Sequence, residues 1–158
     1  MSKKSKRRIV REKVLQILYA YEMNNESLQP LSNEILQEVT DEADKTFARE
    51  LIQKVIDNTA DLDDRIIQRV TNWEMNRIAL IDKILLRMGI CEILHFPDIP
   101  PKVSINESIE IAKDFSTAGS AKFINGILDA VLAEEKTKGK LNKTGRGLVE
   151  DSISPSRQ

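Results

Sequence analysis

The sequence predicts an all-α protein. Three observations carry that expectation. No stretch alternates apolar and polar residues with the β-branched and aromatic content of a strand. Apolar residues instead recur three or four apart through most of the chain. Charged residues make up 31% and aromatics only 4%, a balance that suits a water-soluble helical protein. A chain of 158 residues is long enough for one domain, or for two small bundles sharing a core.

Taken in order, the first predicted helix runs from about Arg7 to Met23, with Val10, Val14, Ile17, Leu18 and Tyr21 on one apolar face and Leu15 and Tyr19 on a second side. Asn24, Asn25 and the Gln29-Pro30 pair predict a loop, after which Ser32 is placed to cap a short helix carrying Ile35, Leu36 and Val39. Asp41 to Val70 reads as one long helix, with Asn58 as a polar interruption or a bend. Asp61, Asp63 and Asp64 read as a solvated face, because they lack the Gly and distal Glu of a calcium loop. A short turn covers Trp73–Asn76, and a helix from about Arg77 to His95, apolar on nearly all sides, is expected to be central and buried. Pro97, Pro100 and Pro101 force an extended crossing. Ser104 and Glu107 form a capping-box pattern for a helix to about Phe115. After a turn at 116–120, a last helix turns Phe123, Ile124, Ile127, Leu128, Val131 and Leu132 inward. The total is about seven helices. Residues 1–135 are expected to form the folded domain, and 136–158, polar and rich in Gly and Ser, a disordered tail.

Charge divides the chain. Lys3, Lys4, Lys6, Arg7, Arg8 and Arg11 put six cations in the first eleven residues with no acid among them. The whole chain is −1, so the remainder sums to −7. A basic arm on an acidic body points to an anionic partner, nucleic acid above all. A solvated, solubilising terminus accounts for the same residues equally well.

The chemistry of catalysis finds little support. The single His95 sits at a helix end beside a proline turn, with no nucleophile motif near it in sequence. Cys91 is the only cysteine, lies in the most apolar helix and leaves no partner for a disulfide or a zinc cluster. Neither a P-loop nor a dinucleotide fingerprint occurs, so no cofactor is expected. No apolar run reaches the ~18 residues of a membrane span, and Arg11, Glu12 and Lys13 interrupt any secretory core, which predicts a cytoplasmic protein. The weight shifts to binding.

One turn stands out. Phe115-Ser116-Thr117-Ala118-Gly119-Ser120-Ala121-Lys122-Phe123 brackets hydroxyls, a Gly and a Lys between two aromatics. If exposed, Phe115 and Phe123 could stack on unpaired bases while Ser120 and Lys122 contact phosphate or base edges, which suits single-stranded RNA. Periodicity alone favours a core position for Phe123. Tyr19, Glu22, Asp82, Leu86 and Glu92 are candidates for a second surface that would dock a basic protein; ordinary helix surface is the competing reading.

These residues are also familiar in their order. RRIVREKVLQILYAYE, then NW and RIALIDKILLRMGICEIL, the proline crossing, and INESIEIAKDFSTAGSAKFINGILD resemble the bacterial transcription antitermination factor NusB over about residues 7–133. The resemblance implies an all-helical fold of two small bundles packed together and no enzymatic activity. It implies an RNA-binding protein that pairs with NusE, a small-subunit ribosomal protein, to recognise boxA in nascent ribosomal RNA transcripts within the RNA polymerase antitermination complex. Self-association of the free protein into a homodimer is left open. Carried over, the arginine motif falls on Arg7, Arg8 and Arg11, the RNA-contacting turn on Phe115, Gly119, Ser120, Lys122 and Phe123, and the NusE side on Tyr19, Glu22, Asp82 and Leu86. Gly119 departs from members with an acid in the turn, and an acid there would repel phosphate. The Lys/Gly/Ser tail beyond Lys136 exceeds the family core and reads as plain disorder or a weak extra RNA contact. The same fold also precedes an RNA cytosine methyltransferase domain; no segment of that size follows here, which predicts the stand-alone factor. The rival from a different class is a helical homodimeric scaffold whose basic arm only solubilises it.

Overall fold

The computed structural model describes residues 4–70 and 72–149, the side chains of 72–74 excepted. Among these residues there are eight α-helices and no strand: α1 (Lys6–Asn24), α2 (Leu28–Ile35), α3 (Glu42–Asp57), α4 (Thr59–Ile67), α5 (Asn72–Arg77), α6 (Leu80–His95), α7 (Pro101–Phe115) and α8 (Ala118–Thr137). The all-α expectation holds. The count rises by one because the long helix expected over 41–70 divides at Asn58, whose φ of −114° and ψ of 17° leave helical geometry. The same point separates two compact units, Met1–Asp57 and Asn58–Gln158.

In the first unit, α1 packs on α2 and α3. Its core is Val10, Val14, Leu15, Ile17 and Leu18 of α1 with Leu31, Phe47, Leu51, Ile52 and Val55. Leu15 is therefore core, whereas Tyr21, expected inward, is exposed, because α1 outruns its buried face after Leu18. Ser32 is not a cap. Ser27 occupies the N-cap of α2, Ser32 is buried within the helix, and Pro30 sits in its first turn, where a missing N–H costs nothing.

In the second unit, α6 is the buried centre and contacts α4, α7 and α8. Every residue from Ile84 to Ile93 is buried. At Gly89 a methyl group would stand 2.9 Å from Leu128 Cδ1 and 3.0 Å from Ser108 Oγ, so the absence of a side chain lets α6, α7 and α8 meet. The charges inside this unit are paired, as burial demands. Arg87 donates to both carboxylate oxygens of Asp63, at 2.7 and 3.1 Å. Arg65 pairs with the buried Glu135 and Arg69 with Glu134. Asp63 is thus a structural anchor rather than part of a solvated face. The capping box is also corrected. Pro100 is the N-cap of α7 and Pro101 opens it, a position where proline's fixed φ is already helical. Ser104 lies one turn inside, and its hydroxyl donates to the buried Glu92 carboxylate at 2.7 Å.

The tail departs most from expectation. Helix α8 ends in a Schellman arrangement: Gly139 N donates to Lys136 O, Lys140 N donates to Glu135 O, and Gly139 adopts φ 68°. Residues 138–149 then form a strap over the 96–98 turn. Lys143 Nζ donates to the carbonyls of Phe96 (2.8 Å) and Glu92 (3.2 Å), the last turn of α6. Thr144 N donates to Pro97 O at 2.9 Å, and Gly147 is buried so close to Pro97 O that any Cβ would collide with it. Polar composition argued for disorder; main-chain hydrogen bonding holds the segment instead. Residues 150–158 lie outside the described residues.

Candidate nucleic-acid interface

The basic residues of the first unit do not form a flexible arm from Lys6 onward. Ser5 caps α1, its hydroxyl accepting from Arg8 N at 3.0 Å, so Lys6, Arg7, Arg8 and Arg11 are helical. Lys3 lies outside the described residues. Lys4 is exposed and pairs with Glu12 at 2.8 Å. Lys6 is exposed and Arg8 half-buried. Arg7 Nε donates to Asp44 at 3.1 Å, and its guanidinium lies 4.3 Å from the Phe47 ring centroid. Arg11 lies over the same ring at 5.1 Å and is only 4% exposed. Arg11, expected as a phosphate contact, is in this structure a buried cation packed on an aromatic face. Sequence counting missed this because four residues of helix carry the charge from the surface to the core.

In the second unit the 115–123 turn joins α7 to α8. Thr117 caps α8 by accepting from Ser120 N at 2.9 Å. Ser116 and Thr117 hydroxyls lie 3.0 and 3.1 Å from Ser120 Oγ, which donates to Asp82 Oδ2 at 2.6 Å. The Ser120 proton is thus committed to a carboxylate that is only 7% exposed, and Asp82 Oδ1 has no partner. Gly119 and Lys122 are exposed, and Phe115 and Phe123 are half-buried. Phe123 lines an open groove of about 380 Å³ with Gly119, Ser120, Asp82, Arg77, Ile78 and Ala79, so it is not simply core. Arg77, Ile78 and Ala79 were read as the start of the central helix and not as site residues; only their place just ahead of α6 could have flagged them.

The expected partner surface divides. Tyr19 (36% exposed) and Glu22 lie exposed on α1. Leu86 is 0% exposed and belongs to the core of α6. Asp82 is buried against Ser120 rather than presented outward, and Glu92 is held by Ser104. Leu86 and Glu92 thus lie inside the unit, while Asp82, though largely buried, lines the groove beside Phe123.

Among the described residues no group of three or more His, Cys, Asp or Glu is placed to hold a metal, and no helix is long and apolar enough to cross a membrane. Cys91 is buried.

A profile of the NusB family matches residues 8–133. The chain belongs to the NusB family. The transcription antitermination protein NusB of Chloroherpeton thalassium is 51% identical over 146 residues, 91% of this chain and 69% of that protein. Its namesake from Salinibacter ruber is 42% identical over 147 residues, 92% of each. Among solved structures, T. maritima NusB superimposes with a TM-score of 0.77 at 38% identity, over 87% of this chain and 98% of that one. A structure of the antitermination factors NusB and NusE in complex with dsRNA shares the fold, with a TM-score of 0.73 at 19% identity over 81% and 96%. The named relatives in the NusB family are transcription antitermination proteins.

Proposed function

We infer that the protein is an RNA-binding transcription antitermination factor that pairs with NusE and recognises boxA in nascent ribosomal RNA transcripts. Family membership over residues 8–133, with an antitermination relative matched along 92% of both chains, carries this reading. The local geometry supports it. The 115–123 turn offers an exposed Lys122, a helix start and two half-buried aromatic rings, of which Phe123 lines a groove, features that accept phosphate and unpaired bases. Lys4, Lys6, Arg7 and Arg8 supply further cations on the first unit. Tyr19 and Glu22 are the residues of the expected NusE side that remain exposed. The protein acts in the cytoplasm as part of an RNA polymerase antitermination complex and performs no catalysis of its own.

The test is fluorescence anisotropy of labelled boxA RNA beside a scrambled single strand and a duplex, with and without NusE. Tighter binding to boxA, strengthened by NusE, is the expected result. Equal, salt-sensitive binding to every RNA in every mixture would reduce the basic residues to a nonspecific cation patch.

A further inference from the structure

The strap carries the second concentration of positive charge in the chain, and it lies beyond residue 133, where the family match ends. Residues 136–149 contain Lys136, Lys138, Lys140, Lys143 and Arg146 with no acid. The rest of its own unit is the opposite: residues 58–135 hold 13 acids against 8 cations, a sum of −5. Leaving five cations on such a body without a partner for them would be expected to collapse them into internal ion pairs. Lys138 is used in that way, pairing with Glu134 at 2.8 Å. Lys143 is spent on the helix-end carbonyls of α6. Lys140 and Arg146 are exposed, as is Lys102 at the start of α7, and none of these three is committed to an ion pair among the described residues.

The strap is also built to hold these charges in place. The Schellman turn at Gly139, the Lys143 and Thr144 hydrogen bonds and the close approach of Gly147 to Pro97 fix its path. Fixing a short segment costs about 1–2 kcal/mol of backbone entropy per residue, a cost a merely solubilising tail would not incur. We propose that Lys102, Lys140 and Arg146 form a second RNA contact, which takes the phosphate backbone of the transcript outside the recognised element. This rests on the reading of the protein as an RNA-binding factor. The partner is the backbone and not the bases. Residues 136–149 contain no aromatic side chain to stack on, and the cleft between the strap and α7 encloses about 50 Å³, too little for a base. Helix α8 separates the strap from the 115–123 turn, and its 20 residues span about 30 Å. A strand seated in the 115–123 turn has to run on along α8 for about that distance to reach the strap.

The experiment compares a boxA RNA of minimal length with the same RNA extended by uridine tracts on the 5′ side, the 3′ side or both. Parent protein and the Lys102→Gln/Lys140→Gln/Arg146→Gln variant are titrated across a salt series. An extended RNA should show a salt dependence steeper by about 0.7 per phosphate engaged, so two contacts would make its advantage over the short RNA about sevenfold larger at 50 mM than at 200 mM salt. The variant should lose that advantage and bind the short RNA like the parent. The three side chains are exposed, so unchanged thermal unfolding verifies its fold. Identical binding of short and extended RNA by the parent overturns the inference while leaving the recognition of boxA intact. If neither RNA binds, the functional reading fails and the second contact falls with it.

Discussion

Replacing Ser120 by Ala isolates the chemistry that organises the turn. Its hydroxyl donates to Asp82 Oδ2 at 2.6 Å, Asp82 is 7% exposed, and the other carboxylate oxygen has no partner. Removal therefore strips a nearly buried carboxylate of its side-chain donor. A hydrogen bond to a charged group contributes about 1.5–3 kcal/mol, and the alanine recovers up to about 0.5 kcal/mol in helix propensity. The expected net loss is about 2 kcal/mol, a fall in unfolding temperature of about 4–8 °C for a protein of this size. Urea unfolding and calorimetry of Ser120→Ala, Asp82→Ala and the double variant close a thermodynamic cycle. A coupling energy of about 1–2 kcal/mol is expected, because once Asp82 is gone the hydroxyl has nothing charged to serve. Strict additivity of the two single variants, within about 0.3 kcal/mol, would refute the argument that the pair acts as a unit.

Leu86→Ala should cost about 2–5 kcal/mol as a core cavity, whereas Tyr19→Ala should leave stability within about 0.5 kcal/mol and weaken NusE binding in a pull-down or calorimetric titration. Gly119→Asp should weaken RNA binding without loss of stability: a Cβ there meets only Thr117 Oγ1 at 3.7 Å, and an acid in the first turn of α8 favours the helix while repelling phosphate. Burial lowers the Lys143 ammonium from 10.5 to about 8, with Glu92 and Asp98 opposing the shift. The folded protein then releases this proton between about pH 8 and 10.5 while the unfolded chain keeps it, so the contribution of Lys143 to stability rises with pH across that window and is flat below it. Urea midpoints of the parent and Lys143→Met measured from pH 7 to 10 should diverge in the parent's favour as pH rises; parallel profiles would contradict the shift.

The periodicity of apolar residues determined the helical class, the buried α6 and the inward faces of α1 and α8, because a 3.6-residue repeat is a local property that burial then uses. The order of short motifs from Arg7 to about Ala133 determined the family. Helix ends were less legible. Ser104 and Ser32 look like caps in a linear reading, yet Pro100 and Ser27 start those helices, since a serine inside a helix serves equally well when a neighbouring helix brings it a polar partner, as α6 brings Glu92. Which charges reach solvent was decided only by the tertiary structure. Arg11 and Arg8 are three residues apart and identical in type, but one lies over Phe47 in the core. Asp82 reads as surface until α8 delivers Ser120 to it. The strap is the clearest case: its composition is that of an unfolded tail, and its order comes from main-chain carbonyls of the 92–97 segment, which carry no signature in the sequence of the strap itself.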